Sequence, residues 1–206
     1  MDIPPPAVPT ERLADWRRTE STVEEAFSTP MLTVHTHTHV YEETAEREAI
    51  DADAGVDRPW RFFFASRVRL EPATQPSALL TKLIARKATA SFRDRLSARG
   101  FERIDRRREH VSFAGERTDG TRVDYRAVCR LRVADDTVSL PVAAAVAVWD
   151  AGGDYHLAGG GYPTGPPDSA PAALREALAT HTDLAAASDT LETLLDACVS
   201  VSRNQE

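Results

Sequence analysis

From Thr121 to Val133 the chain alternates almost without fault. Val123, Tyr125, Ala127, Cys129, Leu131 and Val133 fall on one side; Arg122, Asp124, Arg126, Arg130 and Arg132 fall on the other. A period of two over this length fits only a strand with one face buried. Trp60 to Leu70 repeats the arrangement. Phe62, Phe64, Ser66, Val68 and Leu70 share one face, and Arg61, Phe63, Arg67 and Arg69 the other. Two such strands require a sheet with an apolar face and an arginine-bearing face.

The punctuation around them predicts hairpins. Asp119-Gly120, Asp135-Asp136 and Gly152-Gly153 are turn signals separating Phe101–Phe113, Thr121–Val133, Val138–Trp149 and Tyr155–Tyr162. Sequential hairpins give an antiparallel meander. Met31 to Tyr41, rich in threonine and valine, adds a further strand, and Asp105-Arg106-Arg107-Arg108-Glu109 predicts a bulge or exposed edge. Between the strands one helix stands out: Leu80, Ile84, Ala88, Phe92 and Leu96 recur every four residues, supported by Leu79 and Leu83, with Pro76 in the first turn and Gly100 as the stop. Shorter helices are expected over Glu11–Phe27, Glu42–Asp53, Ala172–Thr180 and Asp189–Ser202, the last opened by a capping-box-like Asp189 and Glu192.

The expectation is an α+β fold: a single antiparallel sheet of about six strands covered by one long helix, with C-terminal helices. Residues 1–10 read as a flexible proline-rich tail, and 11–206 as a single domain. With 42% hydrophobic and 28% charged residues, the 206-residue chain has the core for this and excludes wholesale disorder. Two cysteines, Cys129 and Cys198, give no disulfide framework and no zinc-finger spacing. The start MDIPPPAVPT has no basic or apolar leader region, and the longest apolar run, Leu140 to Trp149, is half a membrane span. The chain therefore reads as soluble and cytoplasmic, with no membrane association.

Charge is unevenly spread. Residues 1–60 carry a net −8, residues 61–133 a net +10 and residues 134–206 a net −9, within a total of −7. Only Lys82 and Lys87 among the 25 basic residues are lysines. An acidic, alanine-rich, lysine-poor composition suits a salt-loving or high-GC organism. The arginine-rich middle is either neutralised by the acidic flanks or forms an anion-binding face of Arg61, Arg67, Arg69, Arg122, Arg126, Arg130 and Arg132. With one interleaved aromatic, Phe63, and no glycine pattern of an RNA-reading strand, nucleic acid is not the expected partner. An anionic ligand or an acidic protein is.

The sharpest chemical feature is His35-Thr36-His37-Thr38-His39. On a strand the three imidazoles share a face roughly 7 Å apart, and neutral imidazole is a common ligand for zinc and similar divalent ions. His35, His37 and His39 are therefore the candidate metal ligands, alternating with threonines that a strand favours anyway. Gly159-Gly160-Gly161 precedes a helix but lacks a Gly-Lys-Ser/Thr ending, so close strand packing explains it better than phosphate binding. No nucleophile elbow, His-Glu-x-x-His or kinase signature occurs. No catalytic residue and no cofactor beyond that metal is assigned.

In order, HTHVYEE, WRFFFASRVRL, FRDRLSARGFERI and YHLAGGGYP resemble an uncharacterised family of small cytosolic proteins of halophilic archaea, over about Met31 to Pro163. The resemblance implies no activity, cofactor or catalytic residue. The helix-over-sheet order is also similar to photosystem-subunit-P-like sandwiches, which are accessory binding modules. The leading expectation is thus a non-enzymatic domain that binds a ligand or partner on its arginine face. The alternatives are a metal-binding protein, with hydrolytic chemistry at the histidine strand, and a structural homodimer paired through edge strands.

Overall fold

The computed structural model describes residues 3–113, 118–133, 136–167 and 169–204. Seven strands form one sheet: β1 (Arg17–Thr29), β2 (Leu32–Glu42), β3 (Phe62–Glu71), β4 (Phe101–Phe113), β5 (Thr118–Val133), β6 (Asp136–Ala151) and β7 (Asp154–Pro163). Their order is β1-β2-β3-β7-β6-β5-β4, every neighbouring pair antiparallel. The helices are α1 (Thr44–Ala54), α2 (Ala78–Ala98), α3 (Ala172–His181) and α4 (Ala187–Arg203).

The sheet has seven strands rather than six because Glu11–Phe27, expected as a helix, is a short 3-10 turn at Thr10–Leu13 followed by β1. β1 is an edge strand whose side chains are mostly exposed, so little apolar alternation marks it. Its pairing with β2 determines its conformation instead. At the other edge β4 carries three register irregularities against β5, in keeping with its interrupting charged run.

Both sheet faces are covered, where one long helix over one face was expected. α2 lies on the face bearing Val34, Val68, Val123, Val146 and Tyr155, packing Ile84, Ala85, Phe92 and Leu96 against it. Further along the same face, α1 and α3 bury Ile50, Leu174 and Leu178 on Cys129, Leu131 and Leu140. The opposite face is closed by α4, whose Leu191, Leu194, Leu195, Cys198 and Val199 meet Phe63, Ala65, Ala145, Ala147 and Ala158. Alanines along β6 let the helix approach closely. Residues 3–9, read from sequence as a flexible tail, bury Ile3, Pro6, Ala7 and Pro9, with Val8 against this second layer.

Local signals place the helix ends, with corrections. Gly100 is left-handed (φ 84°) just beyond α2, as expected, but the N-cap is Ser77, whose side chain accepts from the Leu80 N–H; Pro76 precedes it. Leu79 and Leu83 do not support the core; they are 81% and 41% exposed. α4 begins at Ala187 with no side-chain cap, so the Asp189 and Glu192 box does not form; Asp183 instead accepts from the Ala185 and Ala186 N–H groups. Gly152 and Gly153 make the predicted turn at φ 59° and 80°. Asp119 and Gly120 belong to β5, Asp119 pairing with Ser112 and Gly120 with Trp149. Asp136 opens β6, and Asp135, the other half of that turn signal, lies outside the described residues.

Candidate functional site

Along β2, period two sends the histidines of the His-Thr-His-Thr-His run to the α4 side and the threonines to the α2 side. There Thr36 and Thr38 share a face with Val34 and Val40, at positions where an apolar residue would be the default. Thr36 pairs with Val68 of β3, and Thr38 with Ser66. The Thr38 and Ser66 hydroxyls hydrogen-bond at 2.8 Å within the interior. The Thr36 hydroxyl is shut off from solvent and has no hydrogen-bond partner. A buried hydroxyl left in this state costs about 1–3 kcal/mol.

Thr36, Thr38 and Ser66 belong to the floor of a cavity of about 590 Å³ between α2 and the β1-β2-β3 end of the sheet. The floor is otherwise Val34, Val40, Phe62, Phe64, Val68 and Leu157; the roof is Ile84, Ala88, Phe92 and Leu96 of α2. Alanines at 88, 90 and 98 leave that side of the helix short of bulk, and β1 supplies Ala26 and Phe27 as a wall. The volume falls in the range of small-molecule sites, as does the mixture of apolar lining with a few polar groups.

The mouth follows the seam between α2 and β1 and is lined by charge. Arg95 pairs with Glu24, and Arg99 with Glu20 at 3.7 Å, tying helix to edge strand. Lys87 also lines the cavity; its Nζ stands 5.4 Å from the centre of the Phe27 ring. Sequence reasoning missed Thr36, Thr38, Ser66 and Lys87. The available signal was polar residues on the apolar parity of two strands, obscured in β2 by the histidines beside them.

The three histidines have separate partners. His35 Nε2 lies 3.1 Å from Glu71. His37 Nδ1 donates to the Ile3 carbonyl at 2.9 Å, and its Nε2 is 3.5 Å from the Ser21 hydroxyl. His39 is buried, with Nδ1 3.4 Å from the Tyr41 hydroxyl and its ring edge-on to His37 at 5.0 Å. Burial, with the nearby Arg18 charge and then His37, holds its pKa down to about 4. Among the described residues no group of three or more His, Cys, Asp or Glu side chains is arranged to hold a metal ion.

The seven arginines do not act as one surface. Arg61 pairs with Glu43 and with Glu46 (2.9 Å), Arg67 and Arg69 both with Asp154 (3.0 and 3.3 Å), and Arg122 with Asp124 (2.8 Å) and Glu192. Burial alone would lower the Arg122 pKa, but hydrogen bonds and charge from Glu192 and Asp124 outweigh it and raise it. Each of these four thus has an acidic partner, with Arg67 and Arg69 sharing one carboxylate. Arg126, Arg130 and Arg132 remain exposed on β5, beyond the cover of α4. Arg130 meets Glu102 at 3.1 Å, while Arg126 and Arg132 make no ion pair among the described residues.

The glycine run is structural. A Cβ at Gly159 would lie 2.4 Å from the Ala145 carbonyl oxygen and 2.6 Å from the Phe64 ring, and one at Gly161 2.7 Å from the Phe62 ring. The two phenylalanines lie across β7 because these positions are bare. Cys129 and Cys198 are buried, and burial pushes both thiols up, Cys198 to about 12. They are core residues, not reactive thiolates. No helix among the described residues is long and apolar enough to cross a membrane.

A family model described as a domain of unknown function, DUF6517, matches residues 5–199. No curated protein and no solved structure matches the chain.

Proposed function

The chain belongs to the DUF6517 family, and we propose that it is a binding domain whose site is the cavity beneath α2, taking up a small, mostly apolar molecule. The observation that carries this reading is the cavity itself, about 590 Å³ with an apolar lining broken by Thr36, Thr38 and Ser66.

The test uses a neutral apolar fluorophore, N-phenyl-1-naphthylamine, titrated into the purified chain. Saturable uptake of one dye per chain is expected. It should be abolished by Ala88→Phe, which fills the roof, without a fall in melting temperature. Thr36→Val should raise stability by about 1 kcal/mol, since it removes an unsatisfied hydroxyl. No uptake, or uptake indifferent to Ala88→Phe, overturns the reading.

A second reading rests on the exposed Arg126, Arg130 and Arg132, which would suit an acidic protein partner. A poly-glutamate matrix that retains the chain at low salt, but not its triple alanine variant, supports it. Equal elution of the two proteins rejects it.

A further inference from the structure

The cavity's mouth carries a charge that the fold leaves uncommitted. Of the three cations lining it, Arg95 is held by Glu24 and Arg99 by Glu20. Lys87 is different: it makes no ion pair among the described residues, and the contact found for it is the Phe27 ring at 5.4 Å. Phe27 is itself a wall of the cavity. The ammonium group is therefore held over the entrance by an aromatic face, a contact that leaves its hydrogen-bond donors unused.

We infer that the ligand is an amphiphilic anion: an apolar body lies on Val34, Phe64, Phe92 and Leu157, and a carboxylate or comparable singly charged head stops at the mouth against Lys87. This rests on the cavity being the binding site. The lining suits the division, because Lys87, Arg95 and Arg99 are exposed on α2 whereas Val146, across the space on β6, is fully buried. An uncharged ligand would leave Lys87 as it is, whereas an anion gains a charge-assisted bond at the water boundary. Of the carboxylates that also line the space, Glu24 is engaged by Arg95 and Asp94 lies 3.9 Å from Arg93, so a cationic head would meet Lys87 with no uncommitted acid beside it.

The experiment compares three ten-carbon probes below their micelle-forming concentrations: decanoate, decan-1-ol and decyltrimethylammonium. Binding is read by displacement of N-phenyl-1-naphthylamine from wild type and from Lys87→Gln, an exposed substitution outside the core. Decanoate should bind about tenfold more tightly than decan-1-ol, and decyltrimethylammonium more weakly than either. In Lys87→Gln the decanoate advantage should vanish while decan-1-ol is unchanged. Equal affinity of decanoate and decan-1-ol for wild type overturns the inference and leaves the cavity reading standing. So does an advantage that survives Lys87→Gln. If the dye itself fails to bind, the cavity reading falls and this inference falls with it.

Discussion

At the scale of single residues, the glycines of β7 show how little room separates a sequence feature from its cause. Gly159 has an ordinary strand backbone, so its need for glycine is steric: the 2.4 Å approach of a Cβ to the Ala145 carbonyl involves main chain of a central strand, which cannot swing aside as a side chain could. Gly159→Ala should therefore cost about 2–3 kcal/mol in urea unfolding, and a loss under 0.5 kcal/mol would contradict this account. That the run meant close packing was legible in the sequence; that Phe62 and Phe64 occupy the space was not, since it depends on β3 pairing with β7. His39 makes a pH prediction of definite sign. Its folded value of about 4 lies below the 6.5 of a free imidazole, so the unfolded chain takes up the proton first as pH falls. The stability tied to the neutral ring is complete above pH 6.5, is lost progressively between 6.5 and 4, and changes no further below. His156, also buried and lowered mainly by burial, acts in the same direction. With allowance for solvent screening, His39 should account for on the order of 1–2 kcal/mol of that loss. Guanidinium unfolding of His39→Asn at pH 7 and pH 5 should show a correspondingly shallower fall than wild type; parallel falls would remove His39 as the cause.

At the scale of elements, what the sequence revealed depended on how much apolar surface each element buries. α2 and β5 announce themselves because one face of each is core. β1 does not, because an edge strand paired on one side, with exposed side chains, is shaped by its neighbour rather than by its own pattern. The same reasoning explains the split run in β2: the histidines drew attention by their chemistry, while the threonines, ordinary strand formers, were the residues aimed into the cavity. α4 was expected as a helix but not as the cover of a second face, since its amphipathicity says that it packs and not where. Its place makes it indispensable. Leu191, Leu194, Leu195, Cys198 and Val199 are buried against the sheet, and Ser202 accepts the Trp149 indole N–H at 2.9 Å. Five such side chains at about 2 kcal/mol each approach the whole stability of an ordinary domain. A chain ending at residue 186 should lose the dispersed proton NMR spectrum of a folded protein and expose Phe63 and Trp149 to solvent. Retention of a dispersed spectrum would show that α4 is an accessory.

At the scale of the whole molecule, the three charge blocks of −8, +10 and −9 fold into one another. The sequence posed the choice between internal neutralisation and an anion-binding face; Arg61, Arg67, Arg69 and Arg122 have acidic partners, while Arg126 and Arg132 make no ion pair among the described residues. The ion pairs formed at the sheet are not equivalent. Arg122 is mostly buried, and the half-exposed Glu192 reaches it from α4, so the pair joins β5 to the helix that closes the second face. Arg17 and Glu48 stand 3.6 Å apart with both side chains about two-thirds exposed. Removing one member of a buried pair leaves a charge stranded where water cannot compensate it, while an exposed pair is nearly balanced by hydration. Glu192→Gln should therefore destabilise the chain by about 1 kcal/mol, since Glu192 is half exposed and Asp124 continues to hold Arg122. Glu48→Gln should change stability by less than about 0.5 kcal/mol. Raising salt should reduce the Glu192 effect only in part, because Arg122 is buried while Glu192 is half exposed. Denaturant unfolding of both variants at two ionic strengths decides the matter. Equal, salt-sensitive losses would mean that the acidic flanks hold the arginines only as a diffuse counter-charge, and that α4 stays on the sheet by apolar contact alone.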